Sequence, residues 1–226
     1  MINIPISIFL LFIQIIIIYF LSRIVINKIF HFLIHIFRNN KLAYIFISIL
    51  FFPGTALHEL SHFFAATVLF LKVKELSLFP EKKNESIKLG HVYYEKKDFI
   101  RGILVGISPF FAGLLFFWIL SALSLFANNN LYIDILIIYL IFAVSATMFS
   151  SKKDLQDVLY LIPIGVVIVG IIYIFDIKIV LLIQNKEIID KIGEICSKIN
   201  IYLFISIIIN LVLILFFKIF KMVFRK

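Results

Sequence analysis

Phe52-Pro53-Gly54-Thr55-Ala56-Leu57-His58-Glu59-Leu60-Ser61-His62-Phe63-Phe64-Ala65-Ala66 sits inside an apolar run covering 42–71. As one helix that run would be about 45 Å long at ~1.5 Å per residue, more than the roughly 30 Å of a bilayer core. Pro53-Gly54 therefore predicts a kink or break, with Thr55 as the N-cap of a new helical piece. In a helix His58 and His62 lie one turn apart on the same face, so both imidazoles can reach one Zn²⁺ at roughly 2.0–2.1 Å. Glu59 points about 100° away, where it can take a proton from an attacking water and return it to the leaving amine. Five His and seven Glu in 226 residues give this pattern by accident in roughly 0.3% of shuffled chains. A charged group deep in a span costs at least ~2.5–3.5 kcal/mol. Two readings compete: a zinc site, or a polar cluster whose members satisfy one another, Thr55 and Ser61. The rarity and the cost favour zinc.

The surrounding chain is a membrane protein by composition. Hydrophobic residues make up 63% and charged residues 15%, against ~45–50% and ~25% in soluble domains, which excludes an ordinary soluble globule, a disordered chain and collagen. Six stretches approach the ~20 apolar residues of a span: 4–25, 42–71, 102–126, 131–150, 158–175 and 199–217. Residues 1–22 carry no charge, no basic leader and no small-x-small cleavage site, and read as a retained first span. In the polar insert 72–101, the partly alternating segments 73–79 and 87–94 predict two strands joined by a turn at 80–86. The expected fold is thus an all-α integral membrane protein of about six transmembrane helices, one domain over 1–226, with a β-hairpin between the second and third spans. Residues 176–198 read as an amphipathic interfacial helix or loop.

The net charge of +9 forms no basic face interleaved with aromatics, so the expected partner is the lipid bilayer and not nucleic acid. Eight Lys or Arg in 72–101, four in 218–226 and none in 128–130 place the insert and the C-terminus in the cytoplasm. The stretch 23–41, with four basic residues and no acid, would fall outside if all six spans were straight. It would be cytoplasmic, and the N-terminus outside, if 42–71 were a re-entrant hairpin broken at Pro53-Gly54. Both topologies stay open. Richness in Ile, Lys and Asn suggests a low-GC genome and hence a bacterial cytoplasmic membrane. The single cysteine, Cys196, excludes an internal disulfide framework and leaves His, Asp and Glu as metal ligands.

The stretch 52–66 resembles the zinc-binding helix of the site-2 protease family of intramembrane metalloproteases, in which His-Glu-x-x-His is followed by small residues. Gly106-Ile107-Ser108-Pro109-Phe110-Phe111-Ala112-Gly113 is similar to that family's Gly-Pro segment, and the hairpin fits its β-structure; the resemblance spans roughly 50–160. It implies His58 and His62 as zinc ligands, Glu59 as the catalytic base, and an Asp as third ligand from an Asn-Pro-x-Asp-Gly-like stretch. The nearest match is Ser150-Ser151-Lys152-Lys153-Asp154-Leu155-Gln156-Asp157, with Asp154 as the ligand and Asp157 as the alternative. Read alone, that stretch is a solvated interhelix loop with a local ion pair.

The implied function is an intramembrane zinc endopeptidase that cuts a transmembrane or juxtamembrane peptide bond of a membrane-anchored protein. A second reading takes the third ligand from Glu187 or Glu194, and a third makes the chain a non-catalytic binding or scaffold protein. His31 and His35 read as an interfacial pair and His91 as a strand residue, while Gln14 and Asn210 read as hydrogen-bonding between helices. Ser108, Ser145 and Thr147 are candidate oxyanion donors among which spacing does not choose.

Overall fold

The computed structural model describes residues 6–78, 81–83, 86–88, 90–95, 97–126, 130–149, 165, 167, 170 and 186–223. Four helices are long and apolar enough to cross a membrane: α1 (Ile6–Phe37), α2 (Asn40–Val68), α3 (Phe99–Ala122) and α5 (Lys186–Val223). A shorter apolar helix, α4 (Leu131–Thr147), has 17 residues. Six spans are therefore not reproduced among the described residues, and all but three positions of the stretch 158–175 lie outside them. The charges of 186–198 do not end α5, because Lys191 pairs with Glu187 at 2.8 Å and Lys198 with Glu194 at 2.6 Å, each one turn apart along a single helix.

The expected break in α2 is corrected by the structure. The helix begins after Asn39, whose side chain accepts from the Lys41 amide at 2.8 Å, and runs unbroken through Pro53. Thr55 is no N-cap; it is a buried interior residue. Pro53 has no N–H to offer the Ile49 carbonyl. One residue on, the Leu50 carbonyl accepts from the Tyr139 hydroxyl of α4 at 2.9 Å, which ties α4 to α2 beside the proline. Gly54 supplies the second reason, since a Cβ there would overlap the Ala143 carbonyl and Thr147 Oγ1. The Pro-Gly pair is a notch where α4 crosses α2 at backbone distance.

Helices α1 and α5 run parallel. Ser7 Oγ donates to the Gly193 carbonyl at 2.9 Å and Asn200 Nδ2 to the Ser7 carbonyl at 2.8 Å. At the other end Phe32 meets Phe216, Phe217 and Phe220. Buried Leu11, Ile18, Ser22, Val25 and Ile29 of α1, and Ile199, Leu203, Ser206 and Asn210 of α5, follow steps of three, four or seven residues, a coiled-coil-like seam with small and polar members. Asn210 Nδ2 donates to the Ser206 carbonyl at 2.8 Å, and Ser206 Oγ bonds Ser145 Oγ of α4 at 2.6 Å. Asn210 therefore bonds within its own helix and reaches α4 through Ser206. Most of the last two turns of α4 is buried, from Ile141 to Thr147, which makes this short helix the centre of the bundle.

Between α2 and α3 stand four short strands. β1 (Val73–Ser77) pairs antiparallel with β4 (His91–Tyr94), and β2 (Glu81–Lys83) with β3 (Ser86–Lys88). The pairing reaches into the expected turn at 80–86, since Lys83 faces Ser86. The hairpin follows the end of α2, where Leu71 N–H bonds the Ala66 carbonyl and Arg101 Nη1 the Leu69 carbonyl at 3.2 Å, a cation on the negative end of the helix. Phe30 packs on Tyr44 and Phe37 on Phe46, so α2 starts beside the ends of α1 and α5 and finishes at the far end of the bundle. The hairpin and the C-terminal end of α5 thus lie at opposite ends of the bundle.

Candidate metal centre

The turn His58-Glu59-Leu60-Ser61-His62 lies on the inward face of α2. His58 is 3%, Glu59 7% and His62 9% exposed. The two imidazole rings stand 4.8 Å apart, edge to face, as expected for residues four apart on one helical face. Ionisable groups cluster here on a helix that is otherwise largely apolar. Such groups are expensive within a membrane, and where they occur they face a bundle interior or a cavity and mark a working site.

His62 Nδ1 lies 2.8 Å from the Val105 carbonyl of α3. A carbonyl only accepts, so Nδ1 carries the proton and donates it; the lone pair is left on Nε2. That is the tautomer a metal-ligating histidine needs, and a backbone carbonyl behind the ring is a common way of securing it. The carbonyl is available for a reason written four residues ahead. Position 109 of α3 is proline, and its missing N–H removes the donor that would occupy the Val105 oxygen within the helix. Instead that oxygen accepts from His62 and from Ser108 Oγ, the latter at 2.7 Å.

Three further elements close round the turn. Beside His58 is a tight crevice lined by Gly54, Leu57, Pro109, Gly113, Val144, Thr147 and Met148. Gly113 lets the Met148 side chain pack closely there, since a Cβ would come within 2.6–2.8 Å of it and Met148 would have to shift. The hairpin covers Glu59 from the other side: a Cβ at Gly90 would lie 2.8 Å from Glu59 Cγ and 3.1 Å from the Ser77 carbonyl. Gly90 therefore lets the root of β4 rest on the carboxylate side chain, an approach that glycine permits.

Other candidates fall as follows. His91 is a β4 residue, 9% exposed, with its ring 4.5 Å from Tyr93 and Nε2 3.7 Å from Glu75 Oε1. It directly follows the glycine that abuts Glu59. Of the three hydroxyls, Thr147 lines the His58 crevice, donating to the Ala143 carbonyl at 2.9 Å. Ser108 bonds Val105, and Ser145 is engaged with Phe142 and Ser206. His31 and His35 are exposed on α1. Gln14 Oε1 is buried without a hydrogen-bond partner among the described residues, so the interhelical bond expected of that side chain is not made through its oxygen. Glu187 and Glu194 are exposed and paired with Lys191 and Lys198.

The donor set suits zinc at two positions, two imidazoles on one buried face with one tautomer already selected. Among the described residues no group of three His, Cys, Asp or Glu side chains is placed to hold a metal ion. Glu187 and Glu194 belong to that described set and do not complete one; Asp154 and Asp157 lie outside it. The Val105 carbonyl and Gly90 were not among the residues singled out by sequence, though Pro109 and a glycine opening a strand were their visible signals. In comparisons with known proteins, no family model, no curated protein and no solved structure matched this chain.

Proposed function

We propose that the chain is an intramembrane zinc metalloendopeptidase acting on a transmembrane or juxtamembrane peptide bond of a membrane-anchored protein. The observation that carries the reading is the hydrogen bond from His62 Nδ1 to Val105, because it leaves the Nε2 lone pair for a metal in a ring that stands 4.8 Å from His58. In this reading His58 and His62 hold the ion and Asp154, or else Asp157, completes the protein ligands. Zinc held in this way supplies Lewis acidity toward a scissile carbonyl and lowers the pKa of water toward ~7. Glu59 takes the proton of the attacking water and passes it to the departing amine. Its burial beneath Gly90 keeps its carboxylate close to the helix and out of bulk water.

A peptide in a transmembrane helix has its carbonyls engaged and must unwind before attack. The two-stranded β1–β4 sheet has two outer edges, and one of these receives the unwound segment as an added strand beside Glu59. The site lies on the hairpin's side of the bundle, so substrate and water enter from that end.

The test uses the full chain in lipid with a membrane-anchored reporter substrate. Cleavage is expected from the wild type, with loss of at least ~100-fold in Glu59→Gln and on removal of metal with a chelator. Unchanged cleavage in Glu59→Gln would overturn the reading. A biological effect that survives Glu59→Gln without any cleavage would instead point to a binding or scaffold protein.

A further inference from the structure

The end of the bundle away from the candidate metal centre has an unexplained charge distribution. Lys28, His31 and His35 follow steps of three and four residues along α1, which places them within about 60° of one another on the helix surface, and Arg38 follows directly after the helix end with a left-handed backbone, φ 49°. Both histidines and Arg38 are exposed, and Lys28 is half-buried. The buried seam of the same helix, through Val25 and Ile29, lies on another face. Three more cations join this stripe: exposed Lys41 at the start of α2, and exposed Lys218 and Lys221 near the end of α5. The contacts of Phe30 with Tyr44 and of Phe32 with Phe217 and Phe220 bring those three helix ends together.

The opposite end carries several acids among its cations, although exposed Lys72, Lys97 and Lys186 there form no ion pair among the described residues. There Lys74 pairs with Glu95, Arg101 with Asp98, Lys191 with Glu187 and Lys198 with Glu194, all within 2.6–3.1 Å. Lys28, Arg38, Lys41, Lys218 and Lys221 form no ion pair among the described residues, and the one acid at their end is half-buried Asp134 in the first turn of α4. Five cations on three adjacent helix ends repel one another, and among the described residues none of them is paired with an anion. At the edge of an apolar bundle, the anion within reach is a lipid phosphate.

We propose that this end is a docking surface for anionic phospholipid headgroups, with the α1 stripe as its principal contact. The long side chains run along the helix and set their charged ends at headgroup depth. The zwitterionic headgroup carries its own cation and satisfies the surface less well. The inference does not depend on the protease reading, since the site lies at the other end of the molecule.

Native mass spectrometry of the full chain, titrated in detergent with phosphatidylglycerol or with phosphatidylcholine, tests this. The expected result is at least tenfold tighter retention of phosphatidylglycerol, weakened by added salt. Replacing Lys28, Arg38, Lys41, Lys218 and Lys221 together by Gln should abolish the preference, each single change contributing about fivefold or less. The Lys191→Gln/Lys198→Gln pair should leave it intact, and Lys→Arg replacements at the stripe should preserve it. Equal retention of the two lipids by the wild type would overturn the proposal whether or not the five-site variant folds. A preference that survives in a folded five-site variant would also overturn it.

Discussion

Proline 109 acts on His62 without touching it. By withholding an N–H it leaves the Val105 carbonyl to accept from His62 Nδ1 at 2.8 Å. Pro109→Ala returns that N–H to the helix, and the restored bond competes for the same oxygen. Zinc affinity should fall by about 10–100-fold, the usual cost of losing a ligand's outer partner. Stability of the bundle should hold or rise, because interior proline costs a helix roughly 3 kcal/mol. Metal competition titration against thermal unfolding separates the two effects, and unchanged zinc affinity would show that Val105 does not select the tautomer. The His58, Glu59, His62 constellation was legible in the sequence because its chemistry resides in side chains at fixed helical spacing. Val105 was not, since every residue has a carbonyl and only the tertiary approach of α2 to α3 singles out this one.

At the scale of elements, α2 is the clearest case of packing overriding local signals. Pro53-Gly54 reads as a breaker, yet the helix continues through it, packed where α4 crosses at backbone distance and Tyr139 bonds the Leu50 carbonyl. Gly54→Ala measures that crossing. Alanine gains about 1 kcal/mol of helix propensity over glycine, but its Cβ would overlap the Ala143 carbonyl, and overpacking against backbone costs about 1–3 kcal/mol. The overlap should win, giving a net loss of stability in thermal unfolding; a stabilised variant would contradict the close crossing. The hairpin was legible from partial alternation, whereas the extent of its pairing was not, because the tip has little apolar pattern to set register.

The base of that hairpin should respond to pH. Lys74, 3.0 Å from Glu95, holds its carboxyl below the ordinary value near 4.5. A carboxyl lowered in the folded state contributes stability above its unfolded pKa and loses it as pH falls through the folded one. The pair is exposed and screened by salt, so the effect is small and local. Hydrogen exchange in β1 and β4 should quicken more below pH 4.5, relative to intrinsic rates, in the wild type than in Glu95→Gln. Identical pH dependence in the two would remove this clip from the account.

For the whole molecule, the charge rule and the helix contacts give different arrangements. Counting Lys and Arg put the hairpin and the C-terminus together, because both are basic. The contacts put them at opposite ends, with α1 and α5 parallel and α2 antiparallel to both. No loop composition reveals that α1 and α5 are parallel partners, since the seam between them forms across nearly two hundred residues of chain. Protease protection of one tag placed after Lys83 and another at the C-terminus, in sealed vesicles, should show opposite accessibility. Equal protection of both tags would restore the sequence-based arrangement.

The central claim is that His58 and His62 are ligands of a resident zinc. Elemental analysis of detergent-purified protein, comparing wild type with His58→Ala, His62→Ala, Asp154→Ala and Asp157→Ala, tests it most directly. The account predicts near one zinc per chain, lost on changing either histidine and one of the two aspartates. A chain that holds no zinc under zinc-replete conditions, or holds it equally well without His58 and His62, would contradict it.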